Sequence, residues 1–223
     1  MKSAYFLMHL KKDLQLEWRS KDAINSMLFF ALLVVVLFSL AFDPTRSVSR
    51  QIAGGILCVA TMFAAVSALN QAWARELRNQ VLDALRMTPA PGASLFLGKA
   101  LANFLFVTVV ELVLAPVFVM FYNLQALGNG WLLLLVLPLG TWALIVNGVF
   151  FAALSIRTKS RELLLPLLLL PIFIPALLWM VTSASSILTG EGNAVAAIQS
   201  LAAYDVIFTT ACVMLFEVIL HAE

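Results

Sequence analysis

The chain has 223 residues, of which 62% are hydrophobic and 12% charged, with a formal net charge of +2 and a mean hydropathy of +0.99. A soluble domain needs far more charge to cover its surface, and the small positive balance leaves no nucleic-acid footprint. Apolar runs of about 20 residues recur, the length a helix needs to cross the hydrocarbon core, whereas the short alternating segments of a transmembrane barrel are missing.

In chain order, the first predicted element is an amphipathic helix over residues 1–21. Leu7, Leu10, Leu14 and Trp18 recur at helical spacing with Lys11, Lys12 and Arg19 among them, the pattern of a helix lying at the cytoplasmic interface. Six spans follow, at Ile24–Phe42, Ile52–Trp73, Leu95–Tyr122, Trp131–Ile156, Leu163–Thr182 and Gln199–Leu220. The first follows a long charged segment and precedes no small-residue cleavage site, so it reads as a retained span. The second carries Ala60, Ala64, Ala68 and Ala72 at four-residue intervals, a stripe that lets another helix come close. Residues 75–88, between the second and third spans, are too polar to cross. Leu77, Val81, Leu82 and Leu85 gather on one side, Arg78, Asn79 and Asp83 occupy much of the rest, and Pro89 and Pro91 end the segment. This predicts a short cytoplasmic helix. The fifth span contains Pro166, Pro171 and Pro175, each of which removes a backbone donor and favours a kink. A single all-α membrane domain over residues 1–223 accounts for the chain.

The basic residues set the orientation. Lys2, Lys11, Lys12, Arg19 and Lys21 precede the first span; Arg75, Arg78, Arg86 and Lys99 lie in or beside the second loop; Arg157, Lys159 and Arg161 make the fourth. Only Arg46 and Arg50 fall on the other side, so twelve of the 14 Lys and Arg residues share one side. That split places both termini in the cytoplasm.

Few polar groups lie inside the spans. Glu111 is well within the third, where burial of its charge costs at least a few kcal/mol, so it should face protein or water. Asn103 lies eight residues earlier, roughly 80° around the helix. The pair could line a path or make interhelical hydrogen bonds. Asn147, beside Gly148, reads as an interhelical hydrogen bond. Asp205, beside Tyr204, is placed near the outer end of the sixth span and Glu217 near its inner end, both within reach of interfacial water. Lys99 follows Gly98 without a phosphate-binding pattern: Ser94 stands where the second glycine would be and Ala100 where a Ser or Thr would be. Lys99 is therefore expected to snorkel to the interface. Cys58 and Cys212 lie in apolar runs with no metal or disulfide spacing, and His9 and His221 lie near the cytoplasmic surface. No nucleophile–base pair is visible, so the chain is not expected to be an enzyme, nor to hold a metal.

These segments carry a resemblance. An interfacial helix leading into six spans, with a short helix in the cytoplasmic loop between spans two and three, resembles the membrane subunit of an ABC-2-type exporter. More specifically, Leu82-Asp83-Ala84-Leu85-Arg86-Met87-Thr88-Pro89 with Leu97-Gly98-Lys99, Arg161-Glu162-Leu163-Leu164-Leu165-Pro166 with Leu170-Pro171-Ile172-Phe173-Ile174-Pro175, and Ala203-Tyr204-Asp205-Val206-Ile207-Phe208 with Phe216-Glu217 are similar to CcmB, the haem exporter protein B family of cytochrome c maturation. The family usually has a small-residue pair before Leu-Glu in the cytoplasmic helix. Here Gln80-Val81 precedes Leu82 and Asp83 replaces the Glu, keeping the charge with a shorter reach.

The resemblance implies a permease subunit in the bacterial inner membrane, working with a separate ATPase, CcmA, the membrane proteins CcmC and CcmD, and a second copy of itself. ATP hydrolysis by the partner would drive haem export or release of the haem-loaded chaperone CcmE on the periplasmic side. Leu77, Val81, Leu82, Asp83, Leu85 and Arg86 would meet the ATPase. Other readings of the same spans are an ABC-2 permease for a drug, lipid or glycan, and a non-transporting scaffold that relays ATPase strokes. No cofactor is expected on the chain itself. Its spans hold no histidine, its two thiols are in apolar surroundings, and Met62, Met120, Met180 and Met214 read as packing residues.

Overall fold

The computed structural model describes residues 2–42, 46–73, 91–122, 129–155 and 161–221. Among them are seven α-helices and no strand: α1 (Lys2–Ser20), α2 (Asp22–Ala41), α3 (Arg46–Ala72), α4 (Gly92–Tyr122), α5 (Leu133–Leu154, entered through a 3-10 turn at Gly130–Leu132), α6 (Arg161–Thr189) and α7 (Ala194–His221). Helices α2 to α7 each contain a stretch long and apolar enough to cross a membrane. Their outer surface carries large apolar side chains, including Leu40, Leu112, Leu134, Ile207 and Val218, which a lipid-facing surface requires and a soluble one does not tolerate.

The spans alternate in direction. At one end Trp73 Nε1 donates to the Val149 carbonyl at 3.1 Å, and the Phe216 ring lies 6.0 Å from Trp73 and 5.1 Å from Phe96. These residues come from the ends of α3, α5 and α7 and the start of α4. At the other end the Tyr122 hydroxyl donates to the Val35 carbonyl at 3.0 Å, joining the ends of α4 and α2. Gly54 lies against Ser185 there, so closely that a Cβ would come within 2.9 Å of the Ser185 nitrogen. The first end also carries α1 and flanks residues 74–90; it is called the basic end below.

Helix α3 is the centre of the bundle, packed against α2, α4, α5 and α6. Its alanine stripe, Ala60, Ala64, Ala68 and Ala72, is buried in these contacts. Helix α1 packs on α4. Leu7 and Trp18 of α1 are exposed, while His9 is buried against Gly98 of α4, so histidine near this surface is covered by protein rather than open to water.

Three helix boundaries differ from the sequence reading by five residues or more, one being the start of α3 at Arg46 rather than Ile52. Helix α6 runs on to Thr189 and α7 begins at Ala194, where Thr182 and Gln199 were expected. The polar run Ser183–Thr189 looks like loop, but its hydroxyls bond back into the helix: Ser183 Oγ to the Trp179 carbonyl at 2.7 Å, Thr189 Oγ1 to that of Ser185 at 2.8 Å. The true connection is residues 190–193. Gly190 has φ 76° and ends α6 in the left-handed region that glycine adopts freely, and Asn193 Oδ1 accepts from the Ala196 N–H at 3.1 Å to start α7. Helix α6 is continuous through Pro166, Pro171 and Pro175.

Candidate functional site

The polar side chains of the spans fall into separate groups. Glu111 on α4 is buried, and Thr141 on α5 donates its hydroxyl to Glu111 Oε1 at 2.5 Å. Thr61 on α3 lines the same small cavity as the carboxylate. This cavity, of about 30 Å³, is also walled by Val35, Leu57, Ala64, Leu114, Phe118 and Leu137. That volume admits about two water molecules. Glu111 is thus tied to α5 by a hydroxyl donor, with α3 walling the cavity beside it.

Asn147 on α5 is fully buried in a second group. Its Nδ2 donates to the Ala143 carbonyl at 2.8 Å and to Tyr204 Oη at 3.2 Å; the Tyr204 hydroxyl donates to the Ile172 carbonyl at 2.8 Å. Cys212 Sγ lies 3.8 Å from Asn147 Oδ1. This knot ties α5, α6 and α7. Asn103 does not join Glu111: its Nδ2 bonds the Lys99 carbonyl one turn back in its own helix, at 2.9 Å. Glu217 is exposed near the end of α7.

Asp205 departs from its expected place. Because α7 starts at Ala194, Asp205 sits about three turns inside the helix. It is buried, and neither carboxylate oxygen has a hydrogen-bond partner among the described residues.

Lys99 also departs from expectation. About two turns into α4, it is 3% exposed and does not snorkel. Its ammonium donates to the Ala72 carbonyl at 2.8 Å, one of the acceptors left over where α3 ends. It lies 3.2 Å from Asp13 Oδ2 of α1, an ion pair rather than a directed hydrogen bond, and 4.7 Å from the Trp73 ring centroid. A carboxylate, a carbonyl and an aromatic face replace the water that a lysine otherwise seeks. The sequence did carry a signal for this: Asp13 falls on the face of α1 that holds Leu10 and Leu14, where an acid needs a partner. Thr61 and Thr141 had no such mark, since threonine is ordinary in a membrane helix. The proposed ATPase contacts Leu77, Val81, Leu82, Asp83, Leu85 and Arg86 lie outside the described residues.

Comparison with known proteins gives these features a family. The sequence model of the CcmB protein family matches residues 4–218. The chain is similar to the heme exporter protein B of Rhodobacter capsulatus, 35% identical over 170 residues, covering 76% of this chain and 78% of that one. It is 32% identical to the heme exporter protein B of Haemophilus influenzae over 187 residues, covering 84% and 82% of the two chains. It is also 32% identical to that of Pseudomonas aeruginosa, covering 80% and 79%. A match that takes in α1 and all six spans is one of whole architecture, and the chain belongs to the CcmB family.

Proposed function

We propose that this chain is the membrane subunit of an ABC complex of cytochrome c maturation in the bacterial inner membrane. It carries the work of ATP hydrolysis by a separate CcmA ATPase to haem export, or to release of the haem-loaded chaperone CcmE, beside CcmC, CcmD and a second copy of itself. The observation that carries this reading is the family match along residues 4–218, with relatives named heme exporter protein B on three sides.

Within this reading, one observation favours a relay over a haem channel through the single subunit. Two of the buried polar groups are tied to other side chains: Glu111 accepts from the Thr141 hydroxyl of α5, and Asn147 donates to Tyr204. The cavity beside Glu111, about 30 Å³, is far smaller than a haem. The chemistry at the ATP phosphates belongs to the partner, and this subunit supplies coupled helices. The reading is tested by deleting the gene in its host and restoring it. Loss of covalent haem on periplasmic c-type cytochromes, recovered by the wild-type gene, is expected. Full cytochrome c levels in the deletion strain would point to another substrate.

A further inference from the structure

We infer that Lys99 is a positioning residue that locks the interfacial helix and the basic ends of α3 and α4 into one rigid body, through which a stroke delivered to residues 74–90 enters the spans. This rests on the ATPase-coupling reading above.

Residues 74–90 lie between the end of α3 and the start of α4. A push there moves two helix ends, and without a tie each could shift alone. Lys99 supplies the tie: it stands on α4, bonds the last-turn carbonyl of Ala72 on α3 at 2.8 Å, and lies over the ring of Trp73, the next residue. Its ion pair with Asp13, at 3.2 Å, brings in α1. Gly98 adds close contact, since a Cβ there would come 3.1 Å from that of His9. The body also has an outlet. Trp73 bonds the Val149 carbonyl of α5 and stacks on Phe216 of α7, so motion of the clamp reaches both. A fully buried ammonium shared by three helices stays put only while all its partners hold, which makes the contact a rigid joint rather than a surface ion pair.

The test uses the complete complex purified from its host, with ATP hydrolysis, ATPase co-purification and cytochrome c haem content measured for wild type, Asp13→Asn and Lys99→Met. The clamp predicts that both variants retain the ATPase and hydrolyse ATP, while most covalent haem loading is lost. A second variant pair guards against simple misfolding: His9→Cys with Gly98→Cys, oxidised, ties α1 to α4 covalently. In the Asp13→Asn background this disulfide should restore haem loading, and reduction should remove it again. Full loading in Asp13→Asn and Lys99→Met, loss of the ATPase from either, or a defect that the disulfide does not repair would each overturn the clamp. Absence of ATP-dependent loading in the wild-type complex would instead overturn the coupling reading itself.

Discussion

Thr141 on α5 donates a 2.5 Å hydrogen bond to the carboxylate of Glu111 on α4, inside a bundle where each has few other polar neighbours. The bond fixes how α4 and α5 sit, beside a cavity that Thr61 of α3 also lines. Thr141→Val keeps the shape and removes the donor. It should lower thermal stability in detergent by about 1 kcal/mol, near the upper part of the range for side-chain bonds between membrane helices. Combining it with Glu111→Leu should cost less than the two single changes together, because the second no longer strands a partner. Strict additivity in melting temperatures would show that the two side chains share no energy.

Asp205 calls for the opposite result. Its carboxylate is buried with no hydrogen-bond partner among the described residues, so it weakens the fold. Asp205→Asn removes the ionisable group at nearly constant volume and should raise stability, on the order of 1 kcal/mol. A fall of similar size would show that Asp205 has a partner in the assembled protein. A stabilised variant that no longer supports cytochrome c haem loading would place Asp205 in the working machinery.

The split of basic residues fixes the expected topology. Cysteines placed at Asn129 and Glu191, both exposed, should react with impermeant reagents from the periplasm, and one at Ser160 only after the cytoplasmic side is opened. Glu191 is the better choice in its loop, since Gly192 has φ 87° and a side chain there is strained. Labelling of position 160 from intact cells would reverse the orientation.

Haem handling separates a relay from a carrier. Met180 is buried in packing, while Met120 and Met214 are exposed on the outer surface. The thiols of Cys58 and Cys212 are buried. Purified without partners and mixed with haem, the chain should give no Soret shift beyond that of haem in detergent. A saturable shift abolished by replacing Met62, Met120, Met180 or Met214 would restore a direct haem path.

The spans, their number and the alanine contact of α3 were legible because they rest on hydropathy and on spacing along one helix. The connection at residues 190–193 was not, since Ser183 and Thr189 read as loop until their hydroxyls are seen bonding back to their own helix. Asp205 was set too near the surface for the same reason: the start of α7 was read at Gln199, not Ala194. Glu111 and Asn147 were singled out by polarity alone, but their partners Thr141 and Tyr204 are 30 and 57 residues away and depend on how helices pack. Lys99 was read as a lone cation reaching for water, because nothing local to it announces Asp13.

The proposed passage of ATPase work across the membrane runs through residues 75–88. It is tested most directly by ATP-driven release of the haem-loaded chaperone from the purified complex, compared between wild type and Leu82→Asp or Leu85→Asp. Each variant puts a charge on the apolar side of the predicted cytoplasmic helix. Wild type should release the chaperone on addition of ATP; the variants should keep an intact membrane fold but lose the ATPase or hydrolyse ATP without release. Normal co-purification, normal hydrolysis and normal release in both variants would contradict the account.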